Sequence, residues 1–172
     1  MTIRHVLAAL VVAALPGCAH PPAPFPPAPS GVRYVAVEQP VNRTGRDLVV
    51  DGPGLLQRVL KQDTATVPDL LAEDLRKVLT QQGFRTPTPG MESVPVLRTE
   101  IGRWEHYAAN YETVTVDVVV ALVEPGSGHE LWKAARSGWV VSTYGAGSRR
   151  EASIAASTAV AEALLEGWQP AH

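Results

Sequence analysis

The sequence predicts an α+β fold, a two-layer sandwich in which a mainly antiparallel sheet of about four strands carries two long helices on one face. Three observations predict it. Val114, Val116, Val118, Val120 and Leu122 recur at every second position, the period of a strand with one buried face. Two other segments, around 67–79 and 154–168, repeat their apolar residues at helical spacing. The order is strand, helix, three strands, helix, which suits helices gathered on one side of an antiparallel sheet.

The chain opens on a different kind of segment. Arg4 precedes an almost wholly apolar run from Val6 to Leu15, and Cys18 follows Leu15-Pro16-Gly17. This is the layout of a secretory signal peptide over residues 1–17, too short to span a bilayer. The sequence L-P-G-C resembles the bacterial lipoprotein processing box. Cleavage there leaves the cysteine as the new N-terminus, with a diacylglycerol on its sulfur and an acyl chain on its amine. The other reading of Cys18, a small buried core residue, places it at a cleavage site by accident. Several acyl chains bind a membrane stably where one does not, so lipidated Cys18 makes the membrane the first partner. Cys18 is the single cysteine, so no disulfide can form within the chain and the core alone must hold the fold.

Residues 18–31 form the tether. Ala19 to Ser30 reads AHPPAPFPPAPS, a composition that favours extended polyproline II and makes a spacer of up to ~35 Å. A single periplasmic α+β domain follows over 32–172, long enough for a real core.

Val32 to Val37 has the β-branched and aromatic content of a strand, closed by the turn residues Asn42 to Gly45. Leu48-Val49-Val50 suits a short strand, broken by Gly52-Pro53-Gly54. Leu55 to Leu60 fits a helical turn or a strand equally. Val67, Leu70, Leu71, Leu75, Val78 and Leu79 then mark one stripe of a helix. Thr66 caps it, Pro68 and Asp69 sit in its first turn, and Gly83 lies just beyond its end. Val94 to Trp104, Thr113 to Val123 and Glu130 to Thr143 form an antiparallel meander, with Pro125 to Gly128 as the second turn. Ser148 and Glu151 read as a capping box for a final helix running to about Trp168, whose alanines allow close approach to the sheet.

Composition excludes several functions. The net charge is −2 and no basic run occurs, so nucleic acid is not a partner. No paired-cysteine pattern, H-E-x-x-H or P-loop is present, and neither a metal nor a cofactor beyond the lipid on Cys18 is expected. Gly145-Ala146-Gly147 lacks the third glycine of a dinucleotide turn. Glu105, His106 and Asp117 are the residues an envelope hydrolase would use. Glu105 and His106 read as a solvated hairpin tip, and Asp117 as a residue on the solvent side of a half-covered sheet. The expected assignment is therefore not an enzyme.

The aromatic residues suggest binding instead. Trp168 belongs in the core, near a helix end. Trp104, Trp132 and Trp139 lie on strands that are neighbours in the meander. If they face away from the helices, they form an apolar patch with Tyr107 and Tyr111. A groove lined by Trp104 and Trp139 would suit a lipid or other amphiphile. A flat or edge-exposed sheet would suit a protein partner, and a deep polar pocket converging on His106 or Asp117 a hydrolase.

Several stretches together resemble a family. Val35-Ala36-Val37 through Asn42-Arg43-Thr44-Gly45 resembles the V-x-V-x-x-F-x-N-x-T opening of envelope lipoproteins, and Val96 to Ile101 their second strand. Leu122 to Trp132 resembles their L-x-D-x-x-T-G-x-x-L-W hairpin, and Tyr144 and an alanine-rich last helix follow in the same order. The pattern is similar to the lipopolysaccharide-assembly lipoprotein (LptE-like), to the N-terminal domain of the curli-secretion lipoprotein, and to small meningococcal-type outer-membrane lipoproteins. Glu124-Pro125 stands where the pattern has aspartate, and 48–63 has no counterpart, so no ligand-binding residue carries over. The resemblance implies a non-enzymatic component of outer-membrane assembly or envelope transport, docked to an outer-membrane barrel or export complex. A transporter's auxiliary lipoprotein that itself binds lipid is the alternative. It also implies outer-membrane sorting, since Ala19 rather than aspartate follows Cys18.

Overall fold

A computed structural model describes residues 25–27, 29–50, 65–91, 93–108, 112–143 and 145–171. Cys18, Tyr111, Tyr144 and the ambiguous stretch after Gly52 lie outside them. The elements are β1 (Ala36–Val37), β2 (Val41–Asn42), α1 (Val67–Gln81), β3 (Val96–Ala108), β4 (Glu112–Val123), β5 (Glu130–Ser142) and α2 (Arg149–Leu164). They build an open mixed sheet of five strands with two helices, an α+β fold.

The antiparallel meander β3-β4-β5 forms as expected. The N-terminal strand differs. It is two short pieces, β1 and β2, both parallel to β3 along one edge. Pro40 stands between them and has no N–H for a ladder bond. A parallel pair needs a long crossover, and the chain between β2 and β3 supplies it through α1. Leu48–Val50 pairs with 65–67 through only a short bridge: Val50 N donates to Ala65 O and Val67 N to Leu48 O.

α1 begins where the sequence says. The Thr66 hydroxyl accepts from Asp69 N, and the Asp69 carboxylate accepts from the Thr66 N–H and hydroxyl, which satisfies donors that a helix start leaves orphaned. α2 starts at its expected cap, with the Ser148 hydroxyl accepting from Glu151 N. The Glu151 carboxylate, however, reaches one residue further back, to Gly147 N at 2.6 Å. α2 stops at Leu164, short of Trp168. Gly167 takes a φ of 75°, a conformation open to glycine, and the turn drives Trp168 between Phe84 and Trp132.

The core lies between the helices and one sheet face. Leu71, Leu75 and Leu79 from α1 and Ala156, Val160 and Leu164 from α2 meet Leu97, Ile101 and the valine face of β4. Small Ala152, Ser153, Ala156 and Ser157 let α2 pack closely. The two helices are also joined by a polar contact, in which the Ser157 and Thr158 hydroxyls donate to Asp74 Oδ2 at 2.7 and 3.2 Å.

Two irregularities decide which side chains face the core. β3 shifts register between Ile101 and Arg103, and the β4–β5 pairing shifts between Val116 and Val118. A one-residue insertion reverses the parity of everything beyond it. Leu97, Thr99 and Ile101 are therefore followed on the core side by Trp104 and His106. Trp132, Ala134 and Arg136 are followed there by Trp139 and Val141. Asp117 sits between the two shifts. Its carboxylate accepts from Gly138 N, where Gly138 has a φ of 64°. On the other side Gly102 lies close to Asp117 Cβ. An aspartate in a valine strand is explained by this backbone bond, which pins the bulge.

Candidate functional site

Three surfaces are candidates, and each follows from the parity just described. The first is the sheet face away from the helices. β3 gives it Arg98, Glu100, Arg103, Glu105 and Tyr107, an alternating charge row ending in an aromatic that is 67% exposed. β4 and β5 give it Val119, Ala121, Ala135 and Val140, the last 59% exposed. The charges are paired at the surface: Arg98 with Glu38 at 3.0 Å, Arg43 with Glu100 at 2.9 Å, and Arg103 with Glu105. The Glu105 carboxylate, by its hydrogen bond and its charge, raises the Arg103 guanidinium above its ordinary range. No helix covers this face among the described residues.

The second surface is on the core side of β5, at the sheet's open edge. The Phe25 ring meets Trp139 edge-on at 6.1 Å. The Arg136 guanidinium stands 4.0 Å from the Phe25 centroid and 4.9 Å from that of Trp139, a cation–π arrangement. Beside it Trp132 Nε1 donates to the Pro26 carbonyl at 3.2 Å. Burial lowers the Arg136 pKa, although an arginine stays charged. The proline-rich segment is thus not simply a spacer: Phe25 packs on the core. Its signal in the sequence was a single aromatic in a run made mostly of proline and alanine.

The third is a cleft of about 420 Å³ between residues 46–50, the far end of β3 and the start of α2. Arg46, Asp47, Trp104, Glu105, His106, Arg149 and Ser153 are in its wall. His106 Nε2 and Ser153 Oγ lie 3.0 Å apart. Ser153 is 3% exposed, so its hydroxyl closes a helix–strand contact and is not presented to a substrate. Asp117 is on the opposite sheet face and cannot join them.

The predicted aromatic patch is not assembled. Trp104 and Trp132 are 6% and 7% exposed, on the helix-covered side, because the bulge in β3 and the inward alternation of β5 turn them there. Trp139 is half-buried under Phe25, Tyr107 points to the opposite face, and Tyr111 lies outside the described residues. Glu105 and His106 are corrected too: they sit within β3, paired with Thr115 and Val114, and not at a hairpin tip. Trp168 is in the core. Among the described residues no group of three His, Cys, Asp or Glu is placed to hold a metal, and no helix is long and apolar enough to cross a membrane.

The chain therefore defines a class of small α+β proteins: an open mixed sheet with helices on one face and, among the described residues, a second face that no helix covers. No protein-family model matches its sequence, and no curated protein matches it. Among solved structures it is similar to the PelC dodecamer of Paraburkholderia phytofirmans, with 17% identity, 87% of this chain and 96% of that chain covered, and a TM-score of 0.51. It is also similar to a DUF330 protein of Xanthomonas campestris (14% identity, 82% and 85% covered, TM-score 0.46). A lipoprotein of Neisseria meningitidis shows 15% identity, 74% and 95% coverage and a TM-score of 0.39. At 17% identity the likeness to PelC shows a shared fold and nothing more.

Proposed function

We propose that this protein is a lipid-anchored module of the bacterial envelope, held at the periplasmic side of the outer membrane by Cys18, and that it works by docking to other proteins and not by catalysis. The observation that carries this reading is the one-sided covering of the sheet. A face bearing Val119, Ala135, Val140 and Tyr107 beside a row of paired charges has the make-up of an interface, apolar at its centre and polar at its rim. The PelC fold supports it, since that protein is a dodecamer; a second copy of this chain is one partner the face suits, and an outer-membrane barrel or export complex is the other. The motifs at 35–45 and 122–132, which resemble those of LptE-like and curli-type lipoproteins, support an envelope role.

The cleft beside His106 supports a second reading, in which the chain binds a small polar ligand itself. Its volume is that of a ligand site, but Ser153 is poorly placed as a nucleophile.

Isolation of the lipidated protein from its native envelope in mild detergent tests the first reading. Partners or further copies should co-purify, and Val119→Lys with Val140→Lys should release them. Return of the bare monomer would overturn it. Cys18→Ser should move the protein out of the membrane fraction; continued membrane association would sink the anchor.

A further inference from the structure

We propose that Trp132, Arg136 and Trp139 form a binding site for the chain's own tether, and that the docked Phe25-Pro26 step fixes both the reach of the lipid anchor and the side of the domain that faces the bilayer. The stand-off rests on the Cys18 reading; the latch itself does not.

Phe25 is gripped by two groups, the Trp139 ring in a T-shaped pair and the Arg136 guanidinium, and both ring contacts lie within the range of real attraction. The next residue is held by a different interaction, the Trp132 indole N–H to the Pro26 carbonyl. The indole has no other described acceptor. An aromatic ring, a cation and a hydrogen bond therefore select this dipeptide and not proline in general. The site exists because the β5 irregularity brings Trp139 to the side on which Arg136 already lies.

The consequence for the anchor is geometric. Without docking, the free chain runs from Cys18 to the start of the domain near Val32. With Phe25 held, seven residue steps remain, which reach no more than about 25 Å even if fully extended. That is within the length of one small domain. The tether leaves from β5, the edge opposite β1 and β2, so the β5 edge becomes the membrane-near side. The bare sheet face then stands roughly edge-on to the bilayer, open to a neighbour in the plane of the membrane.

Two measurements on the full lipidated chain test this. In detergent, the Trp132 indole N–H should exchange with solvent about five-fold faster in Phe25→Ala, the ratio expected when one hydrogen bond of about 1 kcal/mol is lost. An unchanged rate would overturn the latch. On vesicles of phosphatidylethanolamine and phosphatidylglycerol, a fluorophore at Ser137→Cys on β5 should transfer energy to a lipid acceptor more strongly than one at Thr86→Cys beyond α1. Phe25→Ala combined with Arg136→Ala should erase that difference while the protein stays bound. Equal transfer from both sites in the unmodified tether would overturn the stand-off. If the chain failed to bind vesicles at all, the anchor reading would fall and the stand-off with it, while the exchange rate would still decide the latch.

Discussion

On one face of β4, Val114, Val116, Val118, Val120 and Leu122 lie beneath the helices and are all buried. On the other, Thr113, Thr115, Asp117, Val119 and Ala121 line a face no helix covers among the described residues. The two faces belong to the same strand and share its hydrogen bonds, so backbone pairing contributes equally to both. What differs is the removal of apolar area from water, worth about 25 cal/mol per Å². The covered face supplies most of the stability, and the uncovered face contributes little to it. The difference teaches where to look for each: fold in the first, partners in the second.

The strongest way to break the comparison is to place a charge on each face one residue apart. Val118→Asp puts a carboxylate under α1 and α2 with no partner, a change that costs more than about 4 kcal/mol and leaves no folded protein. Val119→Asp should stay within about 0.5–1 kcal/mol of the parent, because its side chain remains in water. Urea unfolding with an unchanged slope checks the second. Comparable losses at both positions would mean that the bare face is covered after all.

The polar contacts on the two sides should differ in the same sense, by a smaller margin. Asp74 accepts from Ser157 and Thr158 in the partly buried seam between the helices. Removing it by Asp74→Ala takes the acceptor from the buried Ser157 hydroxyl, while Thr158 keeps the Ile154 carbonyl at 3.2 Å, and should cost ~1–3 kcal/mol. On the bare face, Arg98 and Glu38 are about half exposed and 3.0 Å apart. Arg98→Ala there should cost at most ~0.5 kcal/mol, and less in high salt. If the two substitutions cost the same, burial is not what sets the worth of these contacts.

Much of the fold was legible in the residues. Alternation in 114–122 and the Thr66 and Ser148 caps fixed the meander and both helix starts, because those signals are local. Strand parity beyond the bulges was not. Counting by twos from Leu97 and Ile101 puts Arg103, Glu105 and Tyr107 inside and Trp104 and His106 outside, the reverse of what forms. Only Gly102 hinted at the break, and a lone glycine in a strand has several causes. The parallel pairing of β1 and β2 depends on contacts about 60 residues away, which no local pattern encodes. The tether site was hidden for the same reason: Phe25 and Trp139 are distant in sequence and meet only in the fold. The aromatic patch failed on parity, and the bare face that replaced it is made of residues that look unremarkable one at a time.

The smallest expected effect lies at the rim of the covering layer, where α1 begins in water. Asp69 is held below the ordinary carboxylate range, chiefly by the Thr66 hydroxyl, then by the Thr66 N–H, with a smaller share from Gln39 at 2.8 Å. The ionised form is thus favoured by folding. Its contribution is fully present above the unfolded pKa of about 3.9 and is lost as pH falls through the lower folded value. The site is largely exposed, so solvent screening keeps the effect small, well under the ~1 kcal/mol of a whole cap. Asp69→Asn should flatten the loss of stability below about pH 4 and leave the neutral and alkaline slope untouched. A changed slope near pH 7 would show that another group titrates with folding, and the division between a dry core side and a wet, weakly coupled periphery would need redrawing.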